Sequence, residues 1–499
     1  MKRLLVANRS EIAVRVLRTA HEMGIETVAI YSDADRSALH VRRADHAVHI
    51  GSSVPAESYL RADKILAAAE TTGADAIHPG YGFLAENADF ARACAEAGLT
   101  FVGPPADAIA LMGDKVAARE AAEKAGVPVV PGLMADVHAR ELPQKAKEIG
   151  YPVMLKAAMG GGGKGIRIVA DESQLEEAYK LARAEAKSAF GDDRIYLEKL
   201  VAEPRHVEIQ VMADTHGNVV HYGERECSVQ RRHQKLVEES PCMILTDELR
   251  QEMGEAACRL ASAVGYVGAG TVEFLYSQGR YYFLEMNTRL QVEHPVTEMR
   301  YGADLVREQL RIAAGEKLAP VPEPRGHALE VRINAEDPET FFPSLGKIAR
   351  MLTPGGPGVR LDAALFRGLE ITAHYDSMLG KLIVHAGDRE LCIARARRAL
   401  AELQLVGVQT SVPVALRVLD SGEFKSGNYD TGILDRIQRD TPKHLHEIAA
   451  LAAAVAKHRG TERFLAQTRT AGTTIGNGGT SNWVLIERME RLGQRPPRR

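Results

Sequence analysis

Between residues 1 and 110 the chain alternates five short apolar runs, LLVAN, TVAIYS, HAVHI, DAIHPG and TFVGPP, with amphipathic stretches. Between the first two runs, Ile12, Ala13, Val16, Leu17 and Ala20 recur at helical spacing, and Gly24 supplies a stop. Short strands separated by helices predict a doubly wound parallel sheet. The first turn reads Asn8-Arg9-Ser10-Glu11, without G-x-G-x-x-G. A Rossmann-like shape is therefore expected, but binding of a nicotinamide dinucleotide is not supported.

At 499 residues the chain has room for about three domains. Its 45% hydrophobic and 26% charged content is that of a soluble globular protein, and a net charge of −3 lacks the basic excess of a nucleic-acid binder. Cys94, Cys227, Cys242, Cys258 and Cys392 are scattered without C-x-x-C spacing, which fits a reducing compartment and no structural zinc. The opening MKRLLVANRS reads as a first strand rather than a signal peptide, and no apolar run approaches the ~20 residues that span a bilayer. A cytoplasmic protein with neither nucleic-acid nor membrane partners is expected.

Residues 154–169, MLKAAMGGGGKGIRIV, place Gly160–Gly163 between two apolar runs. A Walker loop needs G-x-x-x-x-G-K-[ST] feeding a helix, whereas Lys164 is followed by Gly165 and the β-branched IRIV. The loop is therefore predicted to join two strands, its glycines letting backbone N–H groups approach a ligand. With Lys156 and Lys164 flanking it, the hairpin suits a lid over triphosphate. The bland alternative is a β-turn with solvated lysines; other residues must supply metal and base.

TVEFLYSQGRYYFLEMNTRLQVEH (271–294) contains two alternating runs around Ser277-Gln278-Gly279-Arg280, a hairpin signal. A turn centred on Gly279 would pair Glu273 with Glu285 directly. Like charges opposed across strands are destabilising unless offset, and a hard divalent cation with oxygen ligands offsets them. Extended at the same period, one strand face would carry Glu285, Asn287, Arg289, Gln291 and Glu293. That face is poor core and a plausible seat for Mg²⁺, nucleotide and an anionic substrate. SVQRRHQKLVEESP (228–241) gathers Arg231, Arg232, His233 and Lys235, without the aromatics of a nucleic-acid surface. It reads as an anion-binding loop, with solvated salt bridges the alternative for any one residue.

Together these segments resemble the ATP-grasp superfamily and, within it, the biotin carboxylases. The likeness covers about residues 2–440. It is carried by VANRSEIAVRVLR, AIHPGYGFLAEN, LMGDK, YPVMLKAAMGGGGKGIRIV, EPRHVEIQV, ECSVQRRHQKLVEESP, FLEMNTRLQVEHPVTE and RINAEDP. The resemblance implies an α/β (α+β) ATP-grasp chain: a Rossmann-like domain (1–113), a helical connector (114–131), a mobile lid (132–203), an antiparallel β-rich domain (204–443) and an extension (444–499). It implies carboxylation of carrier-bound biotin by bicarbonate through carboxyphosphate, driven by ATP with Mg²⁺ or Mn²⁺. Lys115, Lys156, Gly162 and Gly163 would contact the phosphates. Glu198, Lys199, Leu200 and Val201 would line the adenine, with His206 and His233 completing the nucleotide site. Glu273, Glu285 and Asn287 would hold the metal. Lys235, Arg289 and Val292 would bind bicarbonate, Glu293 would be the general base, and Arg332 and Tyr81 would bind biotin, Arg332 stabilising its enolate-like oxygen.

The chain contains no Met-Lys-Met biotin-attachment motif and no stretch left for a carboxyltransferase. A separate biotin carboxyl carrier protein, separate carboxyltransferase subunits and a homodimer are therefore expected, within an acetyl-CoA, acyl-CoA or pyruvate carboxylase. The alternatives are an ATP-grasp ligase joining a carboxylate to an amine and a catalytically silent scaffold. The alanine-rich 446–458 stretch and Trp483 mark the extension as a docking element or as packing for its own chain.

Overall fold

Five strands, β1 (Arg3–Val6), β2 (Glu26–Ser32), β3 (His46–Gly51), β4 (Ala76–His78) and β5 (Thr100–Phe101), pair in parallel in the order β3-β2-β1-β4-β5. The strand side-chain period of two sends successive β1 residues into different cores. Leu4 and Val6 pack with Ile12, Ala13, Val16, Leu17 and Ala20 of the helix Ser10–Glu22. Leu5 packs on the other face with Val28, Ile30, Ile65 and Phe90. The strand order reverses between β1 and β4, so the loops leaving these two strands diverge and open a crevice at their carboxyl ends. Asn8 ties the two loops together, donating to the carbonyls of Pro79 (2.7 Å) and Tyr81 (2.8 Å).

The computed structural model describes residues 1–133, 140–157, 166–190, 192–232 and 234–439, together with Val455. Met1–Ile437 make up one unit and Gln438–Arg499 a second. The glycine run, Lys164, His233 and nearly all of the 444–499 extension lie outside the described residues, so the expectations resting on them stop at the sequence. Among the described residues no helix is long and apolar enough to cross a membrane.

A second sheet contains β6 (Gly132–Leu133), β7 (Val153–Ala157), β8 (Ile166–Val169) and β9 (Ile195–Lys199) in the order β6-β9-β7-β8. β7 and β8 are antiparallel with Lys156 opposite Ile166, so the glycine run does join two strands and feeds no Walker helix. The third sheet has eight strands: β10 (Arg205–Ala213), β11 (Val219–Arg231), β12 (Gln234–Ser240), β13 (Gly268–Ser277), β14 (Arg280–Asn287), β15 (His327–Asn334), and further on β18 (Val359–Ala363) and β20 (Met378–Ala386). Its order is β14-β13-β10-β11-β12-β15-β20-β18, with every pairing antiparallel. Two ribbons, β16 (Gly346–Lys347) with β19 (Glu370–Ile371) and β17 (Arg350–Leu352) with β21 (Gln404–Val406), complete the strands.

The β13–β14 hairpin pairs Glu273 with Glu285, as the sequence predicts, but by a different count. Its two-residue turn is Gln278-Gly279, with φ of 50° and 76°, closed by Ser277 opposite Arg280. A turn centred between those residues would oppose Glu273 to Leu284. A bulge between the Glu273 and Phe274 pairs absorbs one residue and brings Glu285 into place. A Cβ added at Gly279 meets nothing within 4 Å, so an alanine there is penalised only by the left-handed backbone. Gly279→Ala is expected to cost about 1 kcal/mol in urea denaturation; unchanged stability would count against this turn.

Candidate active site

The eight-stranded sheet carries a run of buried charge that a stable sheet face would ordinarily exclude. In β11, Arg225 is fully buried and donates to Glu208 (2.6 Å), Gln210 (2.7 Å), Thr297 (3.0 Å), Thr271 (3.2 Å) and Gln291 (2.8 Å). Beside it Lys235, on β12, donates to three carboxylates: Glu208 (2.5 Å), Glu273 (2.9 Å) and Glu293 (2.7 Å). Arg332, on β15, reaches Glu293 (2.9 Å) and Glu238 (2.6 Å). Glu208, Glu273 and Glu293 are thus opposed by Arg225, Lys235 and Arg332, and unpaired charges in this setting would cost several kcal/mol each.

These partners set the protonation states. Burial alone would raise the Glu293 and Glu273 carboxyls. Lys235 and then Arg332 outweigh it at Glu293, and Lys235 and then His206 at Glu273, holding both well below the usual range. Burial would lower His206, but Glu273, 2.9 Å away, raises it. The same neighbours hold Lys235 well above its usual value against the cost of burial. Glu238 goes the other way: burial pushes it up to about 7, with Arg332 opposing.

The expected continuous row from Glu285 to Glu293 does not exist as a strand. β14 stops at Asn287, and Glu293 stands just before the helix His294–Tyr301. The residues nonetheless converge, because the intervening chain turns back over the sheet. Asn287 (2.9 Å) and Gln291 (2.8 Å) donate to Glu273, and Arg289 donates to Asn287 Oδ1 (2.8 Å). Arg289 also bonds Glu86 (2.8 Å), which accepts from Thr288 N–H as well (3.1 Å), docking the turn onto the N-terminal parallel-sheet region.

The donor set around the hairpin fits a divalent cation. Burial raises the Glu285 carboxyl and the facing Glu273 charge raises it further, a repulsion that a cation between the two would relieve. Asn287 lies against the same Glu273 and offers an amide oxygen. Lys115 belongs to this corner too, its charge acting on Glu285.

Alongside lies a cavity of about 550 Å³ lined by both crevice loops (Asn8–Ile12 and Tyr81–Phe83), by Arg289, Val292 and Arg332, and by His374–Asp376. Arg9, held by Asp35 at 2.6 and 2.7 Å, lies 3.8 Å from the Tyr375 ring centroid. Tyr81 donates its hydroxyl to Glu11, which sits 3.5 Å from Lys381. In the β6–β9 sheet Lys156 pairs with Glu198 (2.5 Å). The main-chain N–H groups of Lys199 and Leu200 go to the carbonyls of Pro131 (2.8 Å) and Pro152 (3.1 Å), and Lys199 Nζ to those of Gly150 and Tyr151. A base edge at this strand end must therefore look to other groups.

Of the residues singled out from sequence, Lys235, Arg289, Val292, Glu293, Arg332, His206, Glu273, Glu285, Asn287 and Tyr81 surround one centre, while Gly162, Gly163 and His233 lie outside the described residues. Sequence reading missed Glu208, Arg225, Glu238, Glu11 and Lys381. Three consecutive charged residues inside a strand, Glu224-Arg225-Glu226 in GERECSV, were the available signal.

A parallel-sheet domain with its crevice open to an antiparallel sheet, a second sheet whose strands β7 and β8 flank the glycine run, and facing carboxylates beside a cationic cavity together define an ATP-grasp enzyme. Family models for the biotin carboxylase N-terminal domain (1–109), the ATP-binding domain of the carbamoyl-phosphate synthase L chain (114–321) and the biotin carboxylase C-terminal domain (330–436) match the chain. Biotin carboxylase 1 of Bacillus subtilis is 52% identical over 442 residues, 87% of this chain and 98% of that protein. A pyruvate carboxylase subunit of Methanothermobacter thermautotrophicus is 50% identical, covering 89% and 92%. Among solved structures, a biotin carboxylase–β,γ-ATP complex from Campylobacter jejuni superposes with a TM-score of 0.83 at 48% identity over 87% of this chain and 98% of that one. The biotin carboxylase domain dimer of the Hydrogenobacter thermophilus 2-oxoglutarate carboxylase, bound to MgADP and bicarbonate, gives 0.82 at 48% over 89% and 99%. The chain belongs to the biotin carboxylase family.

Glu11 provides a check on the cavity floor. Burial pushes its carboxyl up to about 7; Lys381 opposes this, Asp362 adds to it and Arg360 opposes it. The native state thus keeps a proton that the unfolded chain releases near pH 4.5, and native stability falls as pH rises between those values. Glu11→Gln removes that titration. Between pH 4.5 and 8 the variant is expected to gain up to about 3 kcal/mol on the wild type in urea denaturation. A stability difference that does not change with pH would contradict the burial of this carboxyl.

Proposed function

We propose that this chain is the biotin carboxylase component of a biotin-dependent carboxylase. It uses ATP and bicarbonate to carboxylate biotin presented by a carrier protein. The observation that carries the reading is Lys235: one Nζ bridges Glu273 of the hairpin carboxylate pair to Glu293, which follows the cavity-lining Val292 and accepts from the cavity-lining Arg332. A metal-and-nucleotide corner and an anion corner therefore share a wall.

Phosphoryl transfer asks chiefly for positioning and charge neutralisation. Glu273, Glu285 and Asn287 would hold Mg²⁺, which neutralises phosphate charge when bound. Lys115 and Lys156 would approach the phosphates. Lys156 would have to leave Glu198 to do so, and Glu198 to Val201 would run along the base. His206, held on Glu273, would complete the nucleotide site.

Bicarbonate is a weak nucleophile, so a fixed base and flanking cations raise its reactivity. Lys235, Arg289 and the main chain at Val292 would hold it, and Glu293 would take its proton as an oxygen attacks the γ-phosphorus and ADP leaves. Lys235 and Arg332 keep Glu293 ionised but depress its basicity. An anion that takes over their hydrogen bonds returns basicity to the carboxylate, so the base strengthens only with substrate in place. Carboxyphosphate then delivers its carboxyl carbon to N1 of biotin: the bond from that carbon to the phosphate oxygen breaks, and the departing phosphate takes up the N1 proton. Arg332 would stabilise the negative ureido oxygen, and Tyr81 would line the ring site.

The dimer formed by the Hydrogenobacter biotin carboxylase domain, and the pyruvate carboxylase subunit among the relatives, support a homodimer served by a biotin carrier and a carboxyltransferase. The domain division proposed with it is 1–113, 114–131, 132–203, 204–443 and 444–499; the matching family segments 1–109 and 330–436 fall within single divisions, and 114–321 crosses three.

The test is ADP release from MgATP and free biotin in CO₂-stripped buffer, with and without bicarbonate. Release should require bicarbonate and rise with biotin. Glu293→Gln is expected to lower it by about 10²–10⁴-fold, and Arg332→Ala to lower the biotin-stimulated part by about 10²-fold. Bicarbonate-dependent release indifferent to biotin would point to another acceptor, as in a carboxylate–amine ligase. No release under any condition would favour a silent scaffold.

A further inference from the structure

The turn Gln291-Val292-Glu293 that would present bicarbonate to its base is held from behind by two buried side chains with no part in the chemistry above. His294 Nδ1 lies 2.7 Å from the carbonyl of Gln291, and Lys381 Nζ donates to the carbonyl of Val292. Because a carbonyl only accepts, Nδ1 carries the proton. Burial and the nearby cations Lys381, Arg15 and Arg360 hold His294 well below its usual value, so the ring is neutral. Both side chains are fully buried.

Both peptides of this turn are trans, which puts each carbonyl opposite the N–H of the same peptide. With the Gln291 carbonyl drawn toward His294, the Val292 N–H faces away from it. With the Val292 carbonyl drawn toward Lys381, the Glu293 N–H faces away in turn. Neither N–H donates to a protein acceptor among the described residues, and Val292 lines the cavity. Successive N–H groups released in this way form a concave anion seat.

We propose that Lys381 and His294 are positioning residues that turn the two peptides around Val292 so that their N–H groups meet bicarbonate beside Glu293. The proposal rests on the bicarbonate reading above. Lys381 suits the task because it stands between elements. It is the cross-strand partner of Arg332 on one side and Asp362 on the other, and it lies 3.5 Å from Glu11 and 5.7 Å from the Tyr81 ring centroid. One side chain thus registers the bicarbonate turn against the Arg332 strand and against the crevice loops. Stability alone does not explain a lysine here, since a well-packed apolar side chain of similar volume is often as stable as a buried charge pair.

The experiment measures KM for bicarbonate, KM for ATP and kcat in the biotin-stimulated ADP-release assay, with thermal unfolding alongside. In Lys381→Met the KM for bicarbonate is expected to rise about tenfold or more, from one lost hydrogen bond's worth of orientation, with KM for ATP within about twofold. Lys381→Arg should recover part of the loss, because it restores a donor. His294→Leu removes the other anchor and should shift the same constant in the same direction, so a Lys381→Met chain that fails to fold leaves the question answerable. Unchanged KM for bicarbonate in a folded variant overturns the proposal. So does a parallel rise in both KM values with a lowered unfolding temperature, which marks a structural role only. Wild-type release indifferent to bicarbonate would instead overturn the functional reading beneath it.

Discussion

Everything at the centre of this protein depends on neutralising Glu273. Its carboxylate accepts from Lys235, Asn287 and Gln291 and faces His206, while Glu285 opposes it across the hairpin. Removed from water without those partners, such a group would take up a proton and lose its use as a ligand. The partners come from β10, β12, the end of β14 and the turn after it, so ionising this one residue requires the sheet to close in a single register. Arg225 serves the same end from below, binding Glu208 and Gln291, and its own burial is tolerated only because five acceptors meet it.

The same arrangement joins stability to function. A buried charge network is not the most stabilising way to fill a core, and apolar residues of equal volume often do as well. What the network supplies is orientation. Lys235 has three carboxylate partners whose demands it satisfies at once, so an incoming anion competes for a donor already fixed in place. Electrostatic preorganisation of this kind costs no rearrangement when charge develops. The neutral His294 and the buried Lys381 extend the principle to main-chain groups, fixing carbonyls while the N–H groups of Val292 and Glu293 meet no protein acceptor among the described residues.

The N-terminal region shows how far periodicity carries. Its five apolar runs became five parallel strands because helices cross over between them; the inner strands β1, β2 and β4 are buried, while the edge strands β3 and β5 stay largely exposed. The carboxylate hairpin was legible for the same reason, since alternation and a Gly-containing turn fix a register to within a residue. The remaining residue was not legible. The turn centres between Gln278 and Gly279, and the bulge that restores Glu273 opposite Glu285 has no sequence signature of its own. Extending the strand period beyond Asn287 failed because Thr288 and Arg289 are captured by Glu86, a residue some two hundred positions away.

The sequence by itself determined the layers, the strand-to-strand nature of the glycine loop and the chemical types gathered for the site, because these follow from local periodicity and from motifs that few other chains share. Only the tertiary structure decided which of those groups are ionised, which donors are already engaged and what stands behind them. Lys156 on Glu198, Arg332 between Glu238 and Glu293, and Lys381 beneath Val292 are contacts across tens of residues. Charge–charge energies fall with distance and rise as water is excluded, and neither distance nor exclusion exists until the sheets have packed.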